Sequence, residues 1–499
     1  MNTYKIRRNE IKFLLFSLFV AFLFIGLFSK NSPLYPMNDW MDVNCYRTVA
    51  DSMLHGKVMY RDIMDHKGPI WYMLFFTANL FSRRSFLGVY LIETALFGSF
   101  LYMASKILRA YIRNHRLAYP AVLFLGFAVT VGESFSHGGS AEEFCLVLMA
   151  YSLYYYIKLI KEEDRIRTVH HIASGICIGL EFWIKFTLAG IASGGFIYLF
   201  IYLIRRRKTK ELLNIILWNA VGFIITCIPV VIYFAYTNAF YDLWRVYFYN
   251  NIFLYSNKSV FPLFKLGIII GLAVFTTVKN LWYGAFTVGG LILMKKREPE
   301  FAFLIVTLII TACVGFIGGQ VFGYYGLVLV PFSVYGMAEV ILFAEKKYPR
   351  ICRVLACRRN CAAGVIILLG IGYLISPNTY LLKYPKSAMP QFRFAERINK
   401  KENATLLNYG FLDGGFYFAA DVLPDCRFFC ETNLEDPQMY MTQADFINNA
   451  VDDYVVTRDY RLENDFDISG KYKLVDEVQF VLEKKMHIYC LYEKQLTDS

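Results

Sequence analysis

Five aspartates crowd the segment between the first two long apolar stretches of this 499-residue chain. Asp42, Asp62 and Asp65 have the placement that best suits chemistry. Two carboxylates brought together by a folded loop can take a proton from an attacking hydroxyl or amine, or hold a divalent cation. The other two aspartates are better explained as solvated side chains or helix caps. A carboxylate beside lipid is costly, so we interpret the loop over residues 31–85 as a functional site.

A histidine and a cation follow these carboxylates directly. His66 and Lys67 precede a Gly-Pro pair and an apolar, aromatic run that begins at Ile70. A lysine at the entrance of an apolar stretch suits contact with a lipid-linked phosphate, and it equally suits a side chain that reaches to the head-group layer. We therefore treat Lys67 as a candidate phosphate ligand and His66 as a candidate cavity residue.

Another group of candidates lies at the entrance of a later apolar stretch. His137 precedes two consecutive carboxylates, Glu142 and Glu143. These residues fit a polar cavity, and they equally fit a helix start with acidic residues in its first turn. Lys185 follows Glu181 by four residues at the end of another stretch, so it either pairs with that carboxylate or contacts an anionic head group.

Weaker candidates come from aromatic loops. Arg245 and Lys258 are cations in a segment rich in tyrosine, which is typical of an interfacial belt but also offers phosphate contacts. Tyr324 and Tyr325 follow a glycine-rich turn near 318–323, where we expect them to reach the outer surface.

The composition of the rest of the chain predicts the fold that positions these side chains. The residues are 57% hydrophobic, with a mean hydropathy of +0.39, whereas soluble domains are roughly 45–50% apolar. Apolar runs repeatedly approach the ~18–20 residues that cross a bilayer. The sequence therefore predicts an all-α polytopic membrane protein with about eleven spans. They are placed at about 11–29, 86–108, 117–133, 141–160, 170–185, 187–204, 213–236, 266–294, 300–318, 322–343 and 361–376.

The charge pattern predicts the orientation. The net charge is +12, and its lysines and arginines concentrate in alternate short loops, at 109–116, 158–167, 205–210, 295–297 and 346–359. Basic loops stay in the cytoplasm, so we expect the N-terminus inside and the C-terminus outside. The same distribution excludes nucleic acid as a partner. We interpret the first span as a retained anchor, because its apolar stretch exceeds that of a signal peptide and no small-residue cleavage site follows.

The C-terminal segment over 377–499 differs in composition from the apolar segments before it. It is charged, has no spanning run, and carries short β-like pieces at 404–409, 453–457, 480–482 and 487–492. We predict a small extracytoplasmic α/β domain here, after a membrane domain over 1–376. The eleven cysteines suit packing inside spans, although Cys426 and Cys430 could form a disulfide outside the cell.

Four segments of the chain together carry a resemblance to a known family. They are MDVNCYRTVADSM, which contains Asp42, DHKGPIWYML from Asp65, Ala141-Glu142-Glu143, and YYGLVLVPF from Tyr324. Together they resemble the membrane-embedded GT-C glycosyltransferases of family 39 type, among them the protein mannosyltransferases and the lipid A aminoarabinose transferases. The resemblance covers most of residues 10–345. The chain departs from the usual Asp-Glu opening of that family, because Val43 follows Asp42, and both Asp62 and Asp65 stay open as the second acidic residue.

The resemblance implies an inverting glycosyltransferase that takes its sugar from a polyprenyl phosphate and works on the outer face of a bacterial cytoplasmic membrane. Asp42 would be the base, Asp65 or Asp62 would support it, and Lys67 would hold the donor phosphate, aided by Arg245 or Lys185. The expected partners are the lipid-linked sugar, membrane lipid and an envelope acceptor. No required cofactor can be argued, and a divalent metal stays open.

Three other classes of protein fit parts of the pattern. A flippase or transporter for lipid-linked glycans predicts charges buried in mid-span, for which Glu93 and Lys279 are the candidates, and internal repeats, which we do not find. A glycan polymerase would place its large outer loop later in the chain. A non-catalytic scaffold would not need Asp42 at all.

Overall fold

The computed structural model describes residues 3–161, 166–254, 262–295, 297, 299–317, 322–434, 436–482 and 485–495. Helices dominate this part of the chain. They are α1 Thr3–Phe28, α2 Met41–Leu54, α3 Pro69–Phe81, α4 Leu87–Tyr111, α5 Ala118–Thr130, α6 Ala141–Phe144, α7 Leu146–Lys161, α8 Thr168–Lys185, α9 Gly190–Arg205, α10 Thr209–Tyr236, α11 Phe240–Asp242, α12 Pro262–Lys279, α13 Leu281–Met294, α14 Glu300–Gly315, α15 Val330–Lys347, α16 Pro349–Leu355, α17 Arg358–Ile375, α18 Pro390–Ile398, α19 Phe416–Ala420 and α20 Pro437–Asn448. A π-helical segment over Leu243–Leu254 follows α11.

The chain is a multi-pass membrane protein. In the described residues, six segments are long and apolar enough to cross a bilayer, namely Arg8–Phe28, Leu87–Tyr111, Thr168–Arg205, Thr209–Tyr236, Gly323–Lys347 and Arg358–Ile375. Four shorter apolar helices accompany them, at Pro69–Phe81, Ile270–Lys279, Leu281–Met294 and Glu300–Gly315. The predicted polytopic helical fold is thereby confirmed.

The predicted continuous span over 266–294 is instead two helices, α12 and α13, with Asn280 between them. The Asn280 side chain donates to the carbonyl of Thr276 at 2.9 Å and accepts from Ser134 Oγ at 2.7 Å. An amide that bonds its own backbone competes with the helical ladder, which explains the break. Hydropathy averaged over a window cannot detect it.

The chain folds into two compact units, each assembled from separate stretches. The first unit contains residues 1–32, 90–231 and 259–379, and the second contains 33–89, 232–258 and 380–499. The loop that follows α1 therefore packs in the same unit as the C-terminal segment. The last long apolar helix, α17, ends at Ile375.

The C-terminal segment carries the predicted small α/β arrangement. Its sheet contains β1 Leu406–Asn408, β2 Tyr454–Arg458, β3 Tyr472–Leu482 and β4 Lys485–Lys494, in the order β1-β2-β4-β3. β1 and β2 are parallel, and the other pairs are antiparallel. β1 is buried throughout, whereas most of β3 is partly exposed. The partial exposure of β3 is expected of an edge strand that has one solvent-exposed face.

Candidate functional site

The carboxylates predicted to do chemistry sit next to two helix starts in the second unit. Asp42 lies in the first turn of α2, and Asp65, His66 and Lys67 end two residues before Pro69 opens α3. Proline suits the first helical position, where its missing N–H costs nothing. Tyr46 on α2 contacts the rings of Trp71 and Phe75 on α3, with centroids 5.4 and 5.3 Å apart. This aromatic packing fixes the two helix starts with respect to each other.

We call Asp42, Asp65, His66, Lys67 and Tyr72 the loop cluster. Its member Asp65 is buried, with 4% of its surface exposed. One carboxylate oxygen accepts from the Tyr72 hydroxyl at 2.8 Å, and the other accepts from the His66 backbone N–H at 2.8 Å. Burial by itself raises the pKa of Asp65, but the hydrogen bond and charge of His66, the charge of Lys67 and the bond from Tyr72 outweigh it and lower the pKa to about 2. Asp65 is therefore a permanently charged anchor.

The backbone of Lys67 is fixed on both sides. Its N–H donates to the Tyr72 hydroxyl at 2.9 Å, and its carbonyl accepts from the Tyr60 hydroxyl at 2.5 Å. The half-buried ammonium lies 5.8 Å from the centre of the Tyr46 ring, within reach of a cation–π interaction. Lys67 thus presents a positive charge from a rigid backbone.

His66 connects the remaining members. Its carbonyl accepts from the Asn251 amide at 2.8 Å, and its Nδ1 lies 3.3 Å from an Asp65 oxygen. Burial and the charge of Lys67 lower the pKa of His66, while the hydrogen bond with Asp65 and the charges of Asp65 and Asp42 oppose that shift. Asp42 is thus near enough for its charge to act on the imidazole. Asp42 is half-buried.

Asp62 has a different role from Asp65. Its side chain accepts from the backbone N–H of Val58 at 2.8 Å and pairs with Arg61 at 3.0 Å. The Asp62 side chain is 36% exposed. Asp62 therefore stabilises a turn, and Asp65 is the carboxylate that packs with His66 and Lys67.

A residue that sequence reasoning missed, Asp413, joins the C-terminal segment to α2. It is fully buried and accepts from the Thr48 hydroxyl at 2.5 Å and from the Gly415 N–H at 2.8 Å. Burial raises its pKa to about 6 despite these bonds. Gly415 has a φ of +84°, and a Cβ there would lie 3.1 Å from the Asn44 side chain. The sequence Asp413-Gly414-Gly415 signalled a turn, but nothing in it signalled this close packing against α2.

The first unit contains a second group, Glu142, Lys185, Tyr324 and Tyr325, which we call the lysine cluster. Lys185 Nζ lies 2.6 Å from a carboxylate oxygen of Glu142, and it stands 4.1 Å from the centre of the Tyr325 ring. Glu142 is 2% exposed. The partner that the spacing suggested, Glu181, is fully buried, and neither of its oxygens accepts a hydrogen bond within the described residues. Lys185 is therefore neutralised by a residue from another helix.

The remaining candidates of the first unit shape the segment before α6. Glu143 accepts from the Gly139 N–H at 2.8 Å, and its own N–H donates to the Ser140 hydroxyl, which caps α6. The carbonyl of His137 accepts from the Lys30 N–H at 2.9 Å. The bond to Ser140 is typical of a helix start, one of the two interpretations that the sequence left open.

Arg245 belongs to the second unit, in the π-helical segment. It is exposed, and its guanidinium lies 4.8 Å from the centre of the Tyr249 ring. Lys258 and the turn at 318–321 lie outside the described residues. In the part of the chain that is described, no three His, Cys, Asp or Glu side chains group as metal ligands.

Comparison with known proteins bears on the fold. No protein-family model and no curated protein matches the chain. Solved structures do match, and two of them are crystal structures of ArnT from Cupriavidus metallidurans. The form bound to undecaprenyl phosphate gives a TM-score of 0.60 at 13% identity, over 96% of this chain and 97% of ArnT. The apo form gives 0.59 at 12% identity over the same shares. The chain therefore has, over nearly its whole length, the GT-C fold of ArnT, an aminoarabinose transferase.

Proposed function

We propose that this protein is an integral-membrane glycosyltransferase that transfers a sugar from a polyprenyl-phosphate donor to an acceptor hydroxyl or amine. The ArnT-like fold supports the class of enzyme, and the complex of ArnT with undecaprenyl phosphate supports the class of donor. We place the reaction on the outer face of a bacterial cytoplasmic membrane, with a cell-envelope glycan, lipid or protein as acceptor. The observation that carries the proposal is the loop cluster, in which an ionised, buried Asp65 fixes the segment that presents Lys67.

Asp42 and Asp65 have different roles because their surroundings differ. A general base is most effective when its pKa lies near the working pH. Asp65, with a pKa of about 2 and both oxygens already accepting hydrogen bonds, is a weak base and an effective anchor. Asp42 is half-buried and lies in the first turn of α2, so it is the better candidate to receive a proton.

The proposed reaction is a single displacement. The acceptor oxygen or nitrogen attacks the anomeric carbon while Asp42 takes its proton, and the bond from that carbon to the phosphate oxygen breaks. The leaving group is a polyprenyl phosphate, whose growing negative charge Lys67 stabilises from a fixed backbone. Attack from the face opposite the phosphate inverts the anomeric centre. Because a phosphate is already a good leaving group, positioning and charge stabilisation supply most of the rate enhancement.

The test is a donor-turnover assay on purified protein in detergent. Undecaprenyl-phosphate-linked hexoses and aminopentoses are supplied with a crude envelope acceptor, and release of undecaprenyl phosphate is followed. We expect Asp42→Asn to lower turnover by about 100- to 10,000-fold, the range for loss of a general base. Equal release by wild type and Asp42→Asn would remove Asp42 from the mechanism.

A matched pair decides which acidic residue supports the base. Asp65→Asn and Asp62→Asn make the same chemical change three residues apart. We expect Asp65→Asn to lose turnover by more than about 10-fold because Lys67 is no longer anchored, and Asp62→Asn to stay within about 3-fold of wild type. The reverse order would assign the supporting role to Asp62. Thermal unfolding of each variant separates lost chemistry from lost folding.

A lipid-linked glycan flippase is the alternative that one observation favours. Glu93 on α4 and Glu181 on α8 are 1% and 0% exposed within spanning helices, and buried carboxylates in spans are typical of transport pathways. A flippase would move labelled lipid-linked sugar across liposomes and release no polyprenyl phosphate. The turnover assay and the liposome assay therefore separate the two functions.

A further inference from the structure

One pair of sulfur atoms stands out among the described cysteines. The Sγ atoms of Cys45 and Cys430 are 3.6 Å apart, and the residues are 2% and 1% exposed. Cys45 lies on α2, three residues after Asp42, and Cys430 lies in the C-terminal segment between α19 and α20. The sequence suggested Cys430 and Cys426 as the pair, whereas the folded chain gives Cys430 a partner 385 residues away.

The backbone around the pair is already held in place by other contacts. The Thr48 hydroxyl on α2 donates to Asp413, and Gly415 packs against Asn44 one residue before Cys45. A disulfide needs its sulfur atoms about 2.05 Å apart. The sulfurs must therefore approach by about 1.6 Å, a movement of the order that side-chain rotation provides. The native packing of the two segments is therefore compatible with the bond.

We propose that Cys45 and Cys430 form a disulfide bond that ties α2, and with it Asp42, to the C-terminal segment. The bond rests on the proposed function in one respect, since it requires the second unit to lie on the oxidising, outer side of the membrane. The oxidant is a disulfide-bearing thiol oxidoreductase. One thiolate attacks the oxidant's disulfide, and the second then displaces the oxidant's thiol. The two cysteines lose two protons and two electrons, and the oxidant's disulfide is reduced to two thiols.

Burial determines when the bond can form. The thiolate is the reactive form of cysteine. Burial raises the pKa of both thiols, and the charges of Asp413 and Asp65 raise it further. Once the unit is folded, the pair is a poor nucleophile and is shielded from external thiols. The bond must therefore form before α2 packs on the C-terminal segment, and it should resist reductants until the protein is unfolded.

The test is a peptide map of protein extracted from bacterial membranes with N-ethylmaleimide present throughout. We expect a non-reduced cross-linked peptide containing Cys45 and Cys430, lighter by two hydrogen atoms than the separate peptides and carrying no maleimide. It should survive dithiothreitol in detergent and disappear with dithiothreitol in denaturant. Maleimide on both cysteines after denaturation, or a bond between Cys426 and Cys430, would overturn the proposal.

Matched variants supply a second readout that does not depend on the map. Dithiothreitol applied during thermal unfolding should lower the Tm of wild type and of Cys426→Ala. It should leave the Tm of the double variant Cys45→Ala/Cys430→Ala unchanged. Equal sensitivity of the double variant would contradict the bond. Donor turnover by these variants is measured separately. A result against the disulfide would therefore leave the proposed glycosyltransferase activity untouched.

Discussion

Lys67 in the loop cluster and Lys185 in the lysine cluster are both half-buried cations beside a buried carboxylate, yet they are engaged differently. Glu142 binds Lys185 directly, at 2.6 Å. Asp65 accepts its hydrogen bonds from Tyr72 and His66, while the Lys67 ammonium lies over the Tyr46 ring. A carboxylate bonded to a cation neutralises much of its charge, whereas an aromatic face leaves that charge to act on a phosphate. The comparison favours our proposal that Lys67 binds the phosphate, and it favours a structural role for Lys185.

The largest effect should come from breaking the ion pair of the lysine cluster. Lys185→Met would leave the buried carboxyl group of Glu142 without its partner, at a cost of about 3–5 kcal/mol in the free energy of unfolding. Glu142→Gln/Lys185→Met removes both charges and should recover most of that loss. Thermal unfolding in detergent measures both variants. If Lys185→Met unfolds like wild type but loses turnover, Lys185 binds donor and the comparison fails.

The next effect concerns pH and the region around α2. The pKa of Asp413 is raised to about 6 in the folded chain, from an ordinary value of 3.8. The folded state therefore holds this proton more tightly than the unfolded state. Its stabilising contribution is complete below about pH 4 and is lost as the pH rises through about 6, by roughly 3 kcal/mol for a shift of about two units.

Asp413→Asn should remove that dependence, because an amide keeps the acceptor for Gly415 and does not ionise. We expect the Tm of wild type to fall between about pH 4 and pH 6 by more than that of the variant. Glu142→Gln, in the other unit, is the control and should leave the wild-type slope in place. Parallel slopes for wild type and Asp413→Asn would show that Asp413 ionises normally.

The third effect tests whether Lys67 binds the donor phosphate. Lys67→Met should lower kcat/KM for the lipid-linked donor by about 100-fold, as expected when a charge that stabilises the transition state is lost. Its Tm should change little, because the backbone of Lys67, rather than its ammonium, makes the hydrogen bonds to the tyrosines. Lys67→Arg should retain part of the activity. A Lys67→Met enzyme with wild-type kcat/KM would leave the loop cluster without its phosphate ligand.

The smallest effect should come from removing the hydrogen bond between Tyr72 and Asp65. Tyr72→Phe removes one hydroxyl that donates to Asp65 and accepts from the Lys67 N–H. We expect turnover to fall by about 10-fold, close to the ~1.4 kcal/mol of a lost hydrogen bond in a positioned site. Tyr60→Phe, which frees only the Lys67 carbonyl, is the matched comparison and should lose less. If the two variants behave alike, the bond to Asp65 adds nothing beyond backbone support.

Several features of the site were readable from the sequence because they are local. Asp42 after the first span, and Asp65-His66-Lys67 before Gly68-Pro69, identified the loop that contains the cluster. The choice between Asp62 and Asp65 was not readable. Both are aspartates in one polar loop, and only the folded chain gives one of them Arg61 and a turn, and the other Tyr72 and His66.

By itself, the sequence determined that this chain is a multi-pass membrane protein with a small C-terminal sheet. The length of an apolar run and the alternation of a strand are properties of neighbouring residues, so a window of sequence contains them. The tertiary structure alone decided that Glu142 neutralises Lys185, that Asp413 bonds Thr48 on α2, and that Cys430 meets Cys45. Each of these partners lies more than forty residues away along the chain. Periodicity says which side of an element is buried, and only folding decides what it is buried against.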